Sequence, residues 1–219
     1  METNQEEQPV PEPFWKGPLR MIGALFLIFL VVVWIIPSYV IKTNPEPQYI
    51  PTIAEVIPSG NGTGNVPEPV KTSSAMASLL QPQDHFIKRT ADKIVMLTGC
   101  GNNKVCQAKA MFYFVRDRFT YVSDPAAFEY IKSAQESLMS QGGDCDDASV
   151  LLANLLQAVG MRTRFVLIPG HVYVQAWIPE APRTYKADKD WVNLDATCDY
   201  CGFGEIPYRN DEKEVTYLG

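Results

Sequence analysis

Cys145, His171 and Asp195 follow one another along the chain, each in a short segment suited to one chemical task. A thiol, an imidazole and a carboxylate together can carry out acyl transfer. The thiolate attacks a carbonyl, the imidazole moves the proton, and the carboxylate orients the imidazole and stabilises its charged form. The cysteine stands in Gly142-Gly143-Asp144-Cys145-Asp146-Asp147, directly before the apolar run Val150–Leu156, which Gly160 closes. That pattern predicts a helix beginning at Cys145, where unpaired backbone N–H groups and the positive end of the helix dipole favour a thiolate. One of those N–H groups could also serve an oxyanion.

His171 opens the run His171–Ile178, in which His171, Tyr173, Gln175 and Trp177 alternate with apolar residues, so it reads as a strand with a functional face. Trp191–Asp195 alternates in the same way and would set its terminal carboxylate beside the imidazole if the two strands pair. Upstream, 84–97 and 104–118 read as helices. The second carries Ala108, Met111, Phe112 and Val115 at a core-facing spacing. Ser133 to Glu136 matches a capping box leading into the nucleophile turn.

The segments GGDCDDASVLLANLLQAVGMRTRFVLIPGHVYVQAW and WVNLDATC, taken in this order, resemble the core of the transglutaminase-like superfamily over roughly residues 91–197. The resemblance implies an α+β, papain-like core of helices packed on an antiparallel sheet. It also implies Cys-His-Asp chemistry at Cys145, His171 and Asp195, with polypeptide amides as substrate. Peptidase, amidase and transamidase activities all occur in such a family, as do silent relatives, so a non-catalytic binding module is the alternative. The sequence departs from the simplest pattern in two places. Asp144, Asp146 and Asp147 crowd the nucleophile with negative charge, which opposes a thiolate unless they cap the helix or meet cations. No tryptophan lies between Trp34 and Trp177, so Tyr121 stands as the oxyanion candidate.

The chain has 219 residues, 46% of them hydrophobic, but they are unevenly spread. Residues 21–41 carry no charge. At ~1.5 Å per residue they extend about 31 Å, the thickness of a bilayer core, which makes them a transmembrane helix. A signal peptide is the rival reading, against which stand the length of the run and the absence of an Ala-x-Ala-like site after it. Lys16 and Arg20 precede the segment and Lys42 alone closely follows it, so the positive-inside rule places the N-terminus in the cytoplasm and the remainder outside.

Residues 1–20 read as a short disordered tail, and 42–74, with six prolines and a Gly-rich tract, as an extended linker, with an ordered strap packed along the domain as the alternative that its lack of apolar period disfavours. The catalytic domain would then occupy 75–219. Setting Cys145 aside leaves Cys100, Cys106, Cys198 and Cys201, an even number open to two disulfides in an oxidising compartment or to one structural zinc site. No cofactor is otherwise expected. Cys198-x-x-Cys201 is the weaker candidate for a redox pair, because no helix pattern follows it. His85 reads as a surface histidine, and the sequon at Asn61 occurs easily by chance. A net charge of −6 with no basic stripe argues against nucleic acid as a partner.

Overall fold

The computed structural model describes residues 16–58, 66–125, 129–207, 210 and 213–219. Two separate units divide at Lys42 and Thr43. The first contains α1 (Lys16–Thr43), with the apolar span Gly17–Ile36, none of which is buried. The sequon and its Gly-rich surroundings, like residues 1–15 of the expected tail, lie outside the described residues, while residues 16–20 of that tail are the first turn of α1.

The second unit holds α2 (Ile53–Val56), a 3-10 turn (Ser73–Leu79), α3 (His85–Thr98), α4 (Lys104–Arg118), α5 (Ala134–Ser140) and α6 (Cys145–Ala158). Two short strands, β1 (Thr120–Tyr121) and β2 (Gly142–Gly143), pair in parallel. The main sheet is antiparallel, in the order β5 (Lys186–Asp188), β6 (Trp191–Leu194), β4 (His171–Trp177), β3 (Thr163–Ile168), β7 (Thr216–Leu218). This is the α+β arrangement expected of a transglutaminase-like fold.

Helix α6 is the centre of the core. Its apolar residues are not confined to one stripe, and a helix apolar all round must be buried all round. It lies against β3 and β4 and also against α3, α4 and α5. Residues Val150 to Leu156 are accordingly buried. Polar Asn154 is tolerated there because its amide donates to the Leu79 and Val150 carbonyls and its oxygen accepts from the Gln81 N–H. The helix starts follow the side chains: Asp84 caps α3, Asn103 caps α4 and Ser133 caps α5. Ala108, Met111, Phe112 and Val115 are all core residues, as their spacing requires.

The segment after α1 corrects the linker expectation. Residues 44–58 form a strap packed along the domain rather than a solvated spacer. Ile53 and Val56 are buried in the main core, the Gln48 N–H donates to the Thr98 carbonyl at 3.0 Å, and Arg118 Nη2 donates to the Ile50 carbonyl at 2.8 Å. The fully buried Lys109 pairs with Glu46, donates to Asn44 Oδ1 at 2.7 Å, and lies 5.1 Å from the centre of the Tyr185 ring. Farther along, Val70 exchanges backbone hydrogen bonds with Ile131. Prolines and missing periodicity suggested a linker because a strap follows the surface of its domain and not the period of a helix or strand. The globular unit therefore begins at Thr43 and not near Ala75.

Full burial of a side chain such as Ile or Val contributes roughly 1.5–3 kcal/mol. A soluble fragment of residues 75–219 should therefore be less stable in urea than one of 43–219, by roughly 3–6 kcal/mol for Ile53 and Val56 together. Equal midpoints would show that the strap contributes nothing.

Candidate active site

Cys145 occupies the first position of α6, and the preceding turn is shaped by one buried carboxylate. Asp144 is the N-cap, its Oδ1 accepting from the N–H groups of Asp146 at 3.1 Å and Asp147 at 3.3 Å. Asp147 answers it: Oδ2 accepts the Asp144 N–H at 3.3 Å, closing a reciprocal capping box. The same carboxylate accepts Lys132 Nζ at 2.6 Å and the Lys132 backbone N–H at 2.7 Å. A Cβ on Gly143 would stand 2.1 Å from Asp147 Oδ2, and one on Gly142 2.9 Å from the Thr120 carbonyl oxygen. The two glycines are therefore required by close approach, with no left-handed backbone involved.

The three aspartates that crowd Cys145 thus have different tasks. Asp144 and Asp147 are engaged by helix N–H groups and by a lysine. Burial raises the carboxyl of Asp144, and hydrogen bonds from the helix oppose the shift. Asp146 is the exception. It is buried, and its Oδ1 has no hydrogen-bond partner. Burial first, then hydrogen bonding to Glu129 and the charges of its acidic neighbours, push its carboxyl up to about 7.

The loop after β3 turns at Gly170, whose φ of 76° suits glycine, and returns His171 to the cleft at the start of β4. Strand β6 pairs antiparallel with β4 in a register that sets Leu194 opposite Val174, so the next residue, Asp195, comes alongside the start of β4. His171 Nε2 and Asp195 Oδ2 are 2.7 Å apart. Asp195 is wholly buried, and its other oxygen accepts from the Thr197 N–H at 3.2 Å and the Thr197 hydroxyl at 2.9 Å. Cys145 also acts on the imidazole, favouring its charged form. With Nε2 committed to Asp195, Nδ1 is the nitrogen left to face the thiol. Burial is the largest influence on the His171 imidazole and works against its charge. Hydrogen bonds and Coulombic attraction from Asp195 and Cys145 outweigh it, so the imidazole is raised to about 10.

Cys145 and His171 line a cleft of about 670 Å³, together with Tyr121, Asp124, Glu129, Asp144 and Asp146 among others. Tyr121 sits on β1 opposite Gly143, with its phenol pKa raised first by burial and then by the negative charges of Cys145, Asp144 and Asp146. A phenol so placed keeps its proton and can donate. The Cys145 backbone N–H is a second possible donor, since the N-cap carboxylate takes the two N–H groups that follow it.

The functional face expected of β4 is narrower than its alternation suggested. Tyr173 is buried in a small cluster with Val166 and Ile168, and Gln175 is buried between Arg164 and Asn193, leaving His171 for the cleft. The remaining cysteines form two local disulfides, Cys100–Cys106 and Cys198–Cys201. Cys145 is the free thiol. Lys132, Thr197, Asp124 and Glu129 escaped the sequence reading. Only Thr197, two residues after Asp195, carried a local signal, the Asx-turn spacing.

Residues 89–196 match the Transglutaminase-like superfamily. No curated protein matches the chain. Among solved structures, a candidate cysteine protease from Cytophaga hutchinsonii is 18% identical with a TM-score of 0.41, covering 56% of this chain and 42% of that one, so the chain spans under half of its length. Legionella pneumophila LapG is 17% identical with a TM-score of 0.44, covering 69% of this chain and 86% of its own.

The raised imidazole has a measurable consequence. A folded-state value above the ordinary 6.5 gives stability that is fully present below 6.5 and lost as pH rises through about 10. The His171 ring resonances should therefore titrate near pH 10, and Asp195→Asn should move the midpoint downwards. A native midpoint at or below 6.5 would contradict an imidazolium held by its two neighbours.

Proposed function

We propose, from the transglutaminase-like fold of residues 89–196 and the geometry of its cleft, that the protein is a membrane-anchored cysteine enzyme that cleaves or transfers polypeptide amides. The observation that supports it most is the pairing of His171 Nε2 with the buried Asp195 at 2.7 Å, in the cleft that His171 and Cys145 line together. A helix N-terminus and an imidazolium both favour the thiolate.

In the reaction, Cys145 Sγ bonds to the carboxamide carbon, and the carbonyl oxygen takes up the negative charge. The Cys145 N–H and the Tyr121 hydroxyl are the donors for that oxygen. His171 gives its proton to the departing amine as the C–N bond breaks, leaving a thioester on Cys145. Water, losing its proton to His171, then releases a carboxylic acid, whereas a substrate amine entering in the same way forms a new amide. Asp195, itself held by Thr197, keeps the ring in orientation throughout. Both outcomes use the same residues, and access of water or amine to the cleft decides between them.

The anchor is α1, with the N-terminus cytoplasmic and the domain outside. Support comes from the apolar span Gly17–Ile36, the position of Lys16 and Arg20, and the two disulfides, which persist in oxidising surroundings. Protease added to intact cells should accordingly degrade the domain. Protection until lysis would reverse the topology, and release of a soluble domain lacking α1 would identify a signal peptide.

The triad should act as one unit. With a peptide amide substrate, Cys145→Ala and His171→Ala should each lower kcat by at least about 10⁴-fold, Asp195→Asn should cost less, about 10²- to 10⁴-fold, and combinations should be far from additive. Retained turnover in folded Cys145→Ala would exclude the thiol as nucleophile, and a native protein inert to thiol-directed probes and to peptide amides would favour a silent binding module.

A further inference from the structure

Apart from the His171 imidazolium, the charge lining the cleft beside Cys145 is negative. Asp124, Glu129, Asp144 and Asp146 line it, and among its described lining residues there is no lysine or arginine. Carboxylate oxygens of Asp124, Glu129 and Asp144 lie within 4.8 Å of one another, and those of Asp144 and Asp146 lie within 4.8 Å of each other and of the Cys145 thiol. Lys132, the cation close to this turn, is already committed to Asp147. Asp146 is 8% exposed, and its Oδ1 has no partner. A buried acceptor left unpaired is costly, and the cost is recovered when a donor arrives.

We propose that this acidic wall is a subsite for a cationic side chain, lysine or arginine, of the polypeptide whose amide bond Cys145 attacks. The inference rests on the acyl-transfer reading and adds its substrate class. An ammonium or guanidinium is a strong donor to carboxylates, and a few acceptors at this spacing suit it. Calcium, by contrast, takes about six to eight oxygens, and Asp144 already spends one oxygen on two helix N–H groups. Because the wall adjoins the thiol, the cationic residue belongs within about three positions of the scissile bond. Without substrate, Asp146 shares its surroundings with Glu129 and Asp144 and holds a proton up to about pH 7, which the arriving cation displaces.

The test uses the full chain in detergent micelles and a mixed peptide library, with cleavage sites read by mass spectrometry. Lysine or arginine should be enriched at one position within three residues of the cut. Peptides made with that residue should be cleaved about tenfold faster, in kcat/KM, than their norleucine counterparts. Glu129→Gln combined with Asp124→Asn should erase that ratio, bringing the basic peptides down to the rate of their norleucine counterparts. Cleavage without basic enrichment, or a ratio unmoved by the variants, would overturn the subsite and leave the acyl-transfer reading intact. Turnover abolished by a chelator and restored by calcium would assign the wall to a metal and overturn the subsite as well. A protein that neither cleaves any peptide nor transfers its acyl group to an added amine would remove both readings together.

Discussion

The buried carboxylate of Asp147 is the constraint on which the site depends. It accepts the backbone N–H of Asp144, the backbone N–H of Lys132 and the Lys132 ammonium, and it presses so close to Gly143 that no side chain fits there. An unpaired carboxylate at that depth would cost several kcal/mol, so its partners are effectively obligatory. Those partners come from the turn before α6 and from the segment after Val70's partner Ile131. One group thereby sets where α6 begins, and Cys145 is its first residue. A thiol at a helix start keeps its place only if that start cannot fray or slip.

Charge around the thiol is divided in the same spirit. Asp144 and Asp147 are used up by the backbone and by Lys132, so they favour the helix start more than they oppose a thiolate. His171 offsets them, held charged by Asp195 and by Cys145 against the cost of its own burial. Asp195 is in turn fixed by Thr197 and followed at once by the Cys198–Cys201 disulfide, which limits the freedom of the chain just beyond the site. Of the three aspartates Asp146 is left over, its Oδ1 unpaired, and with Asp124 and Glu129 it lines the cleft.

The sheet and the strap act at longer range. The antiparallel register of β4 and β6 brings His171 and Asp195 together from 24 residues apart, which neither strand could do by itself. The strap is part of the domain's stability as well as its connection to α1. Lys109, fully buried beneath Asn44 and Glu46, is tolerated only because those strap residues and the Tyr185 and Phe203 rings receive its charge.

The sequence by itself determined what is local. A Gly-Gly-Asp turn ahead of an apolar run set the helix start at Cys145, side-chain caps and apolar spacing set α3 and α4, and alternation set β4 and β6. Order along the chain sufficed to single out Cys145, His171 and Asp195, because each lies at the end of an element whose period is visible within a few residues. Only the tertiary structure decided which aspartate does what, that Thr197 holds Asp195, that most of β4's polar face is covered, and that residues 44–58 pack as a strap. Each of these depends on a partner distant in sequence: Lys132 for Asp147, Arg164 and Asn193 for Gln175, Lys109 and Thr98 for the strap. Periodicity reports the face an element presents. Which buried charge meets which donor is fixed by packing, since burial makes the choice of partner costly and sequence spacing does not record it.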